Sequence, residues 1–416
     1  MCWDIALSPD RSVPFVKILL INQTFYPDPA ATAQQLTDFS EDLVRKGHDV
    51  TVLTCRRGYA DPSVLYAKSE KREGIHIERV WRFSFGRKSK VGRTLDALLI
   101  NFAFAWKLFW FSRFDVIVAL TSPPLVGWVA AIFAKLRRSR LVYWMMDINP
   151  DEAILAGWLA IDSIAVRVLD ASLKFVLLNS ETIVVLDKFM KDRIVAKEVN
   201  PNRVQVIPPW SHDENWDTVE REKNLFRVEN GLTKKFVVMY SGNHSVCHPL
   251  DTLLEAALLL KEDTNVIFVF IGGGERVRDV LDFKTRHKLQ NILQLPYQKR
   301  SDLKYSLSAA DLHIVVMGEP FVGVVHPCKI YGILSIGKPF IYIGPEKSHI
   351  GDLIQSGGAG FRVAHGQGTQ LASLIQEIQK KSPTWVEEIR NQEQTLAIQY
   401  SRKHLGSAMV SLVSIK

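Results

Sequence analysis

Short runs of apolar, often β-branched residues alternate along the chain with segments in which apolar residues recur at helical spacing. This alternation predicts parallel strands that are wound with helices in βα units. It occurs twice, on either side of a polar, charge-rich stretch at 211–235. The predicted strands are 16–22, 50–54, 75–80, 116–120, 141–146, 182–186 and 204–207 before that stretch, and 236–240, 266–270, 292–295, 312–317 and 340–343 after it.

The length of the chain also indicates two domains, because 416 residues exceed what one hydrophobic core usually organises. We place the boundary at Pro208 and Pro209. The N-terminal domain is expected at 16–208 and the C-terminal domain at 209–395, each a Rossmann-like α/β unit. The segment 396–416 is expected to form a helix that packs back on the N-terminal domain.

Composition excludes several classes of protein. With 47% hydrophobic and 23% charged residues, the chain is not of a disordered, fibrous or disulfide-stapled type. Its four cysteines form neither a paired framework nor a metal knuckle, which favours a reducing compartment and argues against structural zinc. The first fifteen residues lack the pattern of a secretory signal. No run reaches the roughly 18 to 20 apolar residues that span a bilayer.

Two loops that leave predicted strands are candidates for a ligand site, because open α/β sheets bind ligands beyond the carboxyl ends of their strands. One runs from Gln23 to Gln35, and the other contains Gly242, Asn243, His244 and His248. Each loop leads into a predicted helix, whose N-terminus offers free backbone N–H groups and a positive dipole. Those features suit a pyrophosphate.

Five fragments along the chain carry a family resemblance. They are Lys-Gly-His-Asp-Val-Thr-Val at 46–52, Leu-Asp-Thr-Leu-Leu-Glu-Ala at 250–256, an apolar strand running into Gly-Gly-Gly-Glu at 267–275, Ala-Ala-Asp at 309–311 and Gly-Lys-Pro at 337–339. Each fragment alone is weak, but their order resembles that of the retaining family 4 glycosyltransferases. The resemblance implies an α/β GT-B fold, in which two Rossmann-like parallel-sheet domains face a central cleft. It further implies that the N-terminal domain binds the acceptor and the C-terminal domain the nucleotide-sugar.

Within the resemblance, Gly272 and Gly273 are expected to approach the donor, although a glycine-rich turn can also serve no ligand. Lys46 and Gly47 are better explained as the end of a helix, with the glycine in a left-handed conformation. Tyr297 lies in the segment 295–298, where the nucleotide base is expected to bind. Nothing in that segment distinguishes uracil from guanine.

The segment 318–332 departs from the family pattern. Many relatives have the second glutamate of a Glu-x7-Glu motif where this chain has Gly332. The segment instead resembles a subgroup with Pro-Ser-Lys-x-Tyr before the helix, which puts Lys329 in the first helical turn. A lysine there is unfavourable for the helix dipole unless an anion is bound, so Lys329 is interpreted as a diphosphate ligand, with an exposed, solvated lysine as the alternative. Glu319 either takes over part of the missing carboxylate's role or is a cap or surface group.

Three histidines and two aspartates are the remaining candidates. His244, His248 and His326 fall in loops that the GT-B arrangement directs into the cleft, where each can donate a hydrogen bond to phosphate oxygens; the alternative is a satisfied core histidine. Relatives often have a His-Asp pair where this chain has a methionine followed by Asp147. Asp147 and Asp151 are candidates for acceptor positioning or charge stabilisation, or else form a turn. The predicted catalytic set is His326, Asp147 and Glu319.

The predicted reaction is the transfer of a sugar from a nucleotide diphosphate donor, of UDP or GDP type, which needs stabilisation of the leaving pyrophosphate and no protein nucleophile. Retention of configuration by front-face attack is what the resemblance implies. No metal or further cofactor is expected, because no Asp-x-Asp motif occurs. A sugar-nucleotide epimerase with the same fold, or a catalytically silent scaffold, are the alternatives.

The net charge of +8 indicates an anionic partner. Between residues 68 and 140, fifteen lysines and arginines stand against five acidic residues, and the basic group of Arg87, Lys88, Lys90 and Arg93 precedes an aromatic run at 102–111. This combination predicts docking on an anionic membrane and a lipid-linked glycan acceptor, with the protein on the cytoplasmic, inner face. The alternative is two core-facing helices with a solvated basic rim. No nucleic-acid motif accompanies the basic residues, so no nucleic acid is expected.

Overall fold

The structure is a computed structural model that describes residues 15–28, 30–58, 61, 63–81, 90–211 and 219–414; the side chains at 90, 91, 93 and 300 lie outside that description. The chain divides into two compact units. The first comprises Met1–Pro208 together with Arg402–Lys416, and the second comprises Pro209–Ser401.

The first unit is a sheet covered by helices. Its elements are β1 (Lys17–Ile21), α1 (Ala31–Arg45), β2 (Asp49–Cys55), β3 (Ser69–Arg72), β4 (Ile75–Val80), α2 (Lys90–Phe109), β5 (Val116–Ala119), α3 (Val126–Arg137), β6 (Arg140–Trp144), α4 (Asp151–Leu155), α5 (Ile164–Asn179), β7 (Thr182–Val185), α6 (Lys188–Val195) and β8 (Val204–Val206). The strand order is β3-β4-β2-β1-β5-β6-β7-β8, and every pair is parallel except β3 with β4.

The second unit repeats the architecture with a smaller, wholly parallel sheet. Its elements are α7 (Leu225–Glu229), β9 (Phe236–Ser241), α8 (Asp251–Leu259), β10 (Val266–Ile271), α9 (Val277–Arg286), β11 (Ile292–Leu295), α10 (Leu303–Ser308), β12 (Leu312–Val316), α11 (Lys329–Ile336), β13 (Phe340–Ile343), α12 (His349–Gln355), β14 (Phe361–Val363), α13 (Gly368–Gln379) and α14 (Pro383–Gln399). The strand order is β11-β10-β9-β12-β13-β14. Two parallel sheets of this kind confirm the predicted α/β fold class.

Two strands were not predicted from the sequence. The β3 strand reads Ser-Glu-Lys-Arg and faces solvent, so it has no apolar pattern to detect. It pairs antiparallel with β4 at the edge of the sheet, where both of its faces can stay wet. The β14 strand has only three residues, which is too short for a reliable alternation.

The Ala-Ala-Asp fragment has a structural role in the second unit. Asp311 forms an ion pair with the buried Arg227 and accepts a hydrogen bond from the Val237 backbone N–H at 2.8 Å. Arg227 also donates from Nε to the Ala309 carbonyl at 2.9 Å. These bonds fix α7 and the start of β9 to the loop before β12. A buried arginine needs such partners, because an unpaired buried charge is costly.

The C-terminal segment, which includes α15 (Ser407–Ser414), belongs to the first unit and packs on α1. Arg402 forms ion pairs with Asp38 at 3.2 Å and with Asp42 at 2.9 Å. His48 Nε2 lies 2.8 Å from Ser414 Oγ in a buried hydrogen bond. Just before it, Gly47 has a φ of 87° after the last turn of α1, so it ends that helix in the left-handed conformation.

Candidate functional site

Glycines allow two loops of the second unit to touch at the carboxyl ends of β9 and β10. Gly272 has a φ of 133°, and a Cβ there would lie 2.1 Å from the Gly242 carbonyl oxygen. Gly274 has a φ of 135°, and its Cβ would lie 2.4 Å from Asn243 Oδ1. No side chain fits at either position without moving backbone or the asparagine. The glycines therefore set the shape of the loop 242–244 rather than serving only as a flexible turn.

Lys329 is the first residue of α11, and its ammonium group lies over β9 rather than in solvent. Its Nζ is 3.8 Å from the centroid of the Tyr240 ring. The ammonium nitrogen is buried although the residue as a whole is only half-buried, and it has no hydrogen-bond partner within the described part of the chain. A Cβ at Gly242 would lie 3.2 Å from that nitrogen. The solvated lysine that the sequence left open is thus not what the structure shows.

Burial lowers the pKa of Lys329 from 10.5 to about 7, and the neighbouring Cys328 opposes this shift. The ring of Tyr240 supplies a cation–π contact but no lone pair. A buried cation with only an aromatic face for company is short of the oxygen acceptors that an ammonium ordinarily has. An anionic ligand would provide them.

His244 lies against the same loop with its hydrogen-bonding roles already assigned. Its Nδ1 is 3.1 Å from the Gly242 carbonyl oxygen, which can only accept, so Nδ1 carries the proton. Burial, and then the charge of Lys329, lower the pKa of His244 to about 4. The neutral ring therefore presents a lone pair at Nε2, a buried atom without a partner in the described chain. As it stands, Nε2 cannot donate to a phosphate oxygen, which is the role that the sequence suggested.

His248 is likewise buried, and burial followed by the charge of Lys329 holds its pKa well below the usual value. The same ring is hydrogen-bonded to the Val316 backbone, while its Nδ1 has no partner among the described residues. Both histidines are close enough to Lys329 to feel its charge. The structure thus brings together Lys329, His244 and His248 beside Gly242.

Tyr297 and Gly273 pack on each other at the end of β10. The tyrosine hydroxyl donates to the Gly273 carbonyl at 3.2 Å, and a Cβ at Gly273 would lie 3.0 Å from the ring. Tyr297 as a residue is 57% exposed, so a ligand can reach it. Asn243 is exposed, and its backbone carbonyl accepts from the buried Tyr240 hydroxyl at 2.7 Å. The role of Tyr240 under the lysine was not predicted, because nothing in the local sequence marks it.

His326 and Glu319 occupy different surroundings from Lys329. His326 is buried, and its Nε2 lies 2.7 Å from the Tyr331 hydroxyl, which is 2.9 Å from His349 Nε2. The histidine is thus a member of a His–Tyr–His network at the start of α11 and α12. Glu319 is exposed on a short 3₁₀ turn, and no described contact joins it to Lys329.

Asp147 lies in the first unit, in the loop after β6. Burial, and then the charge of Glu152, raise the pKa of Asp147 above its usual value, which favours the protonated carboxyl group. Burial also raises the pKa of Glu152. Asp151 instead forms an ion pair with Lys197 at 3.0 Å. Of the two aspartates, Asp147 is the one whose carboxyl group, when protonated, can donate a hydrogen bond.

The described residues contain neither a metal-binding cluster nor a membrane-spanning helix. No three His, Cys, Asp or Glu side chains cluster in a way that could hold a metal ion. No helix there is long and apolar enough to cross a membrane.

Residues 31–210 match the glycosyl transferase 4-like domain. The chain is 28% identical over 307 residues to the probable glycosyltransferase WbjE of Pseudomonas aeruginosa, covering 71% of this chain and 75% of that protein. It is 24% identical over 358 residues to the putative colanic acid biosynthesis glycosyl transferase WcaI of Escherichia coli K12, covering 82% of this chain and 86% of that protein.

Solved structures share the fold at low sequence identity. HepE of Anabaena, in complex with UDP and glucose, superposes with a TM-score of 0.72 at 18% identity, covering 96% of this chain and all of HepE. WaaG, a glycosyltransferase involved in lipopolysaccharide biosynthesis, superposes with a TM-score of 0.68 at 16% identity, covering 95% of this chain and 99% of WaaG. The chain is therefore a glycosyltransferase with the GT-B fold, and the match to the glycosyl transferase 4-like domain is confined to residues 31–210.

Proposed function

We propose that the enzyme transfers a sugar from a nucleotide diphosphate to a lipid-linked saccharide, with retention of the anomeric configuration. The observation that carries the donor part is the buried Lys329 ammonium, which lacks an acceptor oxygen beside Gly242. HepE was solved with UDP and with UDP-glucose, which supports a nucleoside diphosphate as the ligand.

In this proposal Lys329 neutralises the leaving diphosphate. Charge develops on that group as the glycosidic bond breaks, and a fixed cation in a dry site stabilises it more than water would. Lys329 is the first residue of α11, so the positive end of the helix dipole adds to its charge. The cost of burying the lysine without a partner is then recovered when the donor binds.

Retention without a protein nucleophile requires the acceptor to attack on the face that the diphosphate leaves. The acceptor's proton then passes to a donor phosphate oxygen. Burial and the charge of Glu152 favour the protonated form of Asp147, so it is not the base in this scheme. We assign it the positioning of an acceptor hydroxyl, to which its protonated carboxyl group donates.

Transfer assays test this function. The purified chain is incubated with labelled UDP- or GDP-sugars and a membrane lipid extract, and the products are separated by chromatography and identified by mass spectrometry. Label in a lipid-linked glycan, with the configuration of the donor, is the expected result. An isomerised sugar nucleotide would instead identify an epimerase, and an unchanged donor across all sugars would favour a silent scaffold.

Membrane association is the second part of the proposal, and the C-terminal half of α2 supports it. The large side chains at 98, 102, 106 and 109 of α2, and at 110 just beyond its end, follow helical spacing, and all are exposed, Trp106 by 60%. Arg137 of α3 donates to the Phe109 carbonyl at 3.2 Å, so the basic end of α3 lies beside this stripe. Aromatic side chains bordered by exposed cations suit an anionic lipid interface.

Arg87 and Lys88 lie outside the described residues, as do the side chains of Lys90 and Arg93. Docking is therefore tested at other basic residues. Exposed cations that are described near the stripe are Arg113, Lys135, Arg137 and Arg138. Flotation with anionic vesicles should show binding that falls with salt and on changing Arg113 and Arg138 to glutamate. Binding that is equal on neutral vesicles, or absent at low salt, would remove this part of the proposal and favour a soluble acceptor.

A further inference from the structure

Two arginines and a tryptophan form a basic cluster at the carboxyl ends of β2 and β4, in the first unit. Arg56 and Arg57 follow β2 directly, and Trp81 follows β4. The guanidinium carbons of Arg56 and Arg57 lie 5.6 Å and 5.5 Å from the centroid of the Trp81 ring. The Arg56 N–H donates to the Val80 carbonyl at 2.8 Å, and its Nε donates to the Tyr66 carbonyl at 2.8 Å. Both cations are therefore held at one indole.

The neighbouring arginines of this edge are already neutralised. Arg72 pairs with Glu41 at 3.1 Å, and Arg79 pairs with Glu70 at 2.7 Å. Arg56, in contrast, forms no ion pair with any residue that the structure describes. Two like charges beside one ring repel each other, and an anion between them would offset that repulsion.

Acidic groups do face this region but are engaged elsewhere. Burial, and then the charges of Asp28 and Asp61, raise the pKa of Tyr66, so both carboxylates lie near this residue. Asp61 accepts hydrogen bonds from the Ser63 backbone N–H at 2.9 Å and from its hydroxyl at 2.7 Å. Asp28 accepts from the Ala30 N–H at 3.1 Å. Neither carboxylate pairs with Arg56 in the described structure.

We propose that Arg56 and Arg57 bind an oxyanion that is attached to a sugar of the acceptor. The ligand class is a phosphate or carboxylate, either the diphosphate that links a saccharide to its lipid or the acid group of a uronic sugar. The identification of the ligand as the acceptor rests on the proposed function. The position beyond the carboxyl ends of parallel strands is where this type of sheet binds ligands.

The chemistry of the cluster fits this class of ligand. A guanidinium presents paired N–H groups that match the two oxygens of a carboxylate or phosphate, which a lysine cannot do. Trp81 is the positioning residue: it stacks on both cations and remains 41% exposed, so a ligand can reach the cluster.

Calorimetric titration of the full chain, with UDP present in excess, tests the subsite. The probes are methyl glucoside, methyl glucuronide and glucosyl butyl diphosphate, which carry no charge, a carboxylate and a diphosphate. Arg56→Ala and Trp81→Ala are compared with wild type. Arg167→Ala, an exposed arginine of α5, is the matched control for the loss of one positive charge.

We expect at least one anionic probe to bind wild type about tenfold more tightly than methyl glucoside. Arg56→Ala should remove most of that difference, Trp81→Ala should reduce it, and Arg167→Ala should keep it. The probe that is preferred identifies the source of the oxyanion. Equal binding of all three probes, or an Arg56→Ala variant that behaves like Arg167→Ala, would overturn the inference.

The same titrations separate this inference from the donor site. UDP affinity should be unchanged by Arg56→Ala, because the arginine lies in the other unit from Lys329. If UDP does not bind wild type, the proposed donor site fails, while the comparison of the three probes still decides the role of Arg56 and Arg57.

Discussion

Replacing Lys329 by methionine should stabilise the free protein while weakening donor binding. Burial lowers the lysine pKa from 10.5 to about 7, which corresponds to at most roughly 5 kcal/mol of unfavourable burial. The cation–π contact with Tyr240, worth about 2 kcal/mol in a dry site, offsets part of that cost. Methionine removes both the burial cost and the cation–π contact, and it keeps the length of the side chain. We therefore expect the free energy of unfolding to rise by about 2 to 3 kcal/mol.

The gain should depend on pH in a defined direction. The lysine pKa is lower in the folded chain than in the unfolded chain, so the unfolded chain binds more protons between pH 7 and 10.5. Wild-type stability therefore rises with pH over that window. The advantage of Lys329→Met should be greatest below pH 7 and should fade towards pH 10.5.

Thermal denaturation and calorimetric titration with UDP measure the two effects. At about 2 to 4 °C per kcal/mol, the thermal midpoint of the second unit should rise by about 4 to 12 °C at pH 6.5. UDP affinity should fall by about ten- to a hundredfold, since a charge-assisted contact is lost. Lys338→Met is the matched control, because Lys338 lies just beyond the other end of α11 and burial lowers its pKa to about 8. It should leave UDP affinity unchanged.

The reasoning would be refuted by the opposite pair of results. A Lys329→Met variant that loses stability but binds UDP as tightly as wild type would make Lys329 a structural residue. A fall in UDP affinity that is equal in both variants would show that the loss comes from disturbing α11 rather than from removing a ligand.

Three further predictions concern stability. Glu393→Gln should raise the thermal midpoint at about pH 8.5 but not at pH 5. Burial raises the Glu393 pKa from 4.5 to about 7, so the wild type loses stability as pH rises through that value. Parallel pH profiles of the two proteins would contradict this. Arg402→Ala should cost about 3 kcal/mol in urea denaturation, since it removes the ion pair of the buried Asp38 of α1. Arg45→Ala, at a residue whose side chain is 68% exposed, should cost less than about 1 kcal/mol. Equal losses of stability in the two variants would show that burial does not decide the cost of losing the ion pair. Gly272→Ala should destabilise the chain and weaken UDP binding more than Gly357→Ala, since both glycines have positive φ but a Cβ clashes only at Gly272; equal effects would show that strain alone matters.

The strands were predictable where they consist of apolar runs, and they were missed where no such pattern exists. Strands β9, β10 and β12 of the second unit are buried apolar runs, so their composition identifies them. The β3 strand exists only through its pairing with β4, and no local signal of four polar residues reveals that partner. The sequence predicted a glycine-rich turn at Gly272. It did not predict the contact with Gly242 that requires a glycine there.

The sequence predicted which residues belong to the site better than it predicted the role of each residue. The helical start at Lys329 was predicted from sequence, because it follows from the pattern of the segment. The hydrogen-bonding role of His244 was not, because it depends on a carbonyl 3.1 Å away. His326 belongs to a network with Tyr331 and His349, and only the fold brings the last of these near. Sequence names residues that can do chemistry, whereas tautomers and pKa values depend on tertiary neighbours.

A crystal structure of the chain with UDP tests the central claim most directly. We expect a phosphate oxygen within about 3 Å of Lys329 Nζ, beside the loop that contains Gly242. No hydrogen bond of the ammonium group to the described chain has to break for this contact to form. A nucleotide bound elsewhere in the second unit, or a diphosphate that leaves Lys329 over Tyr240 without a contact, would contradict it.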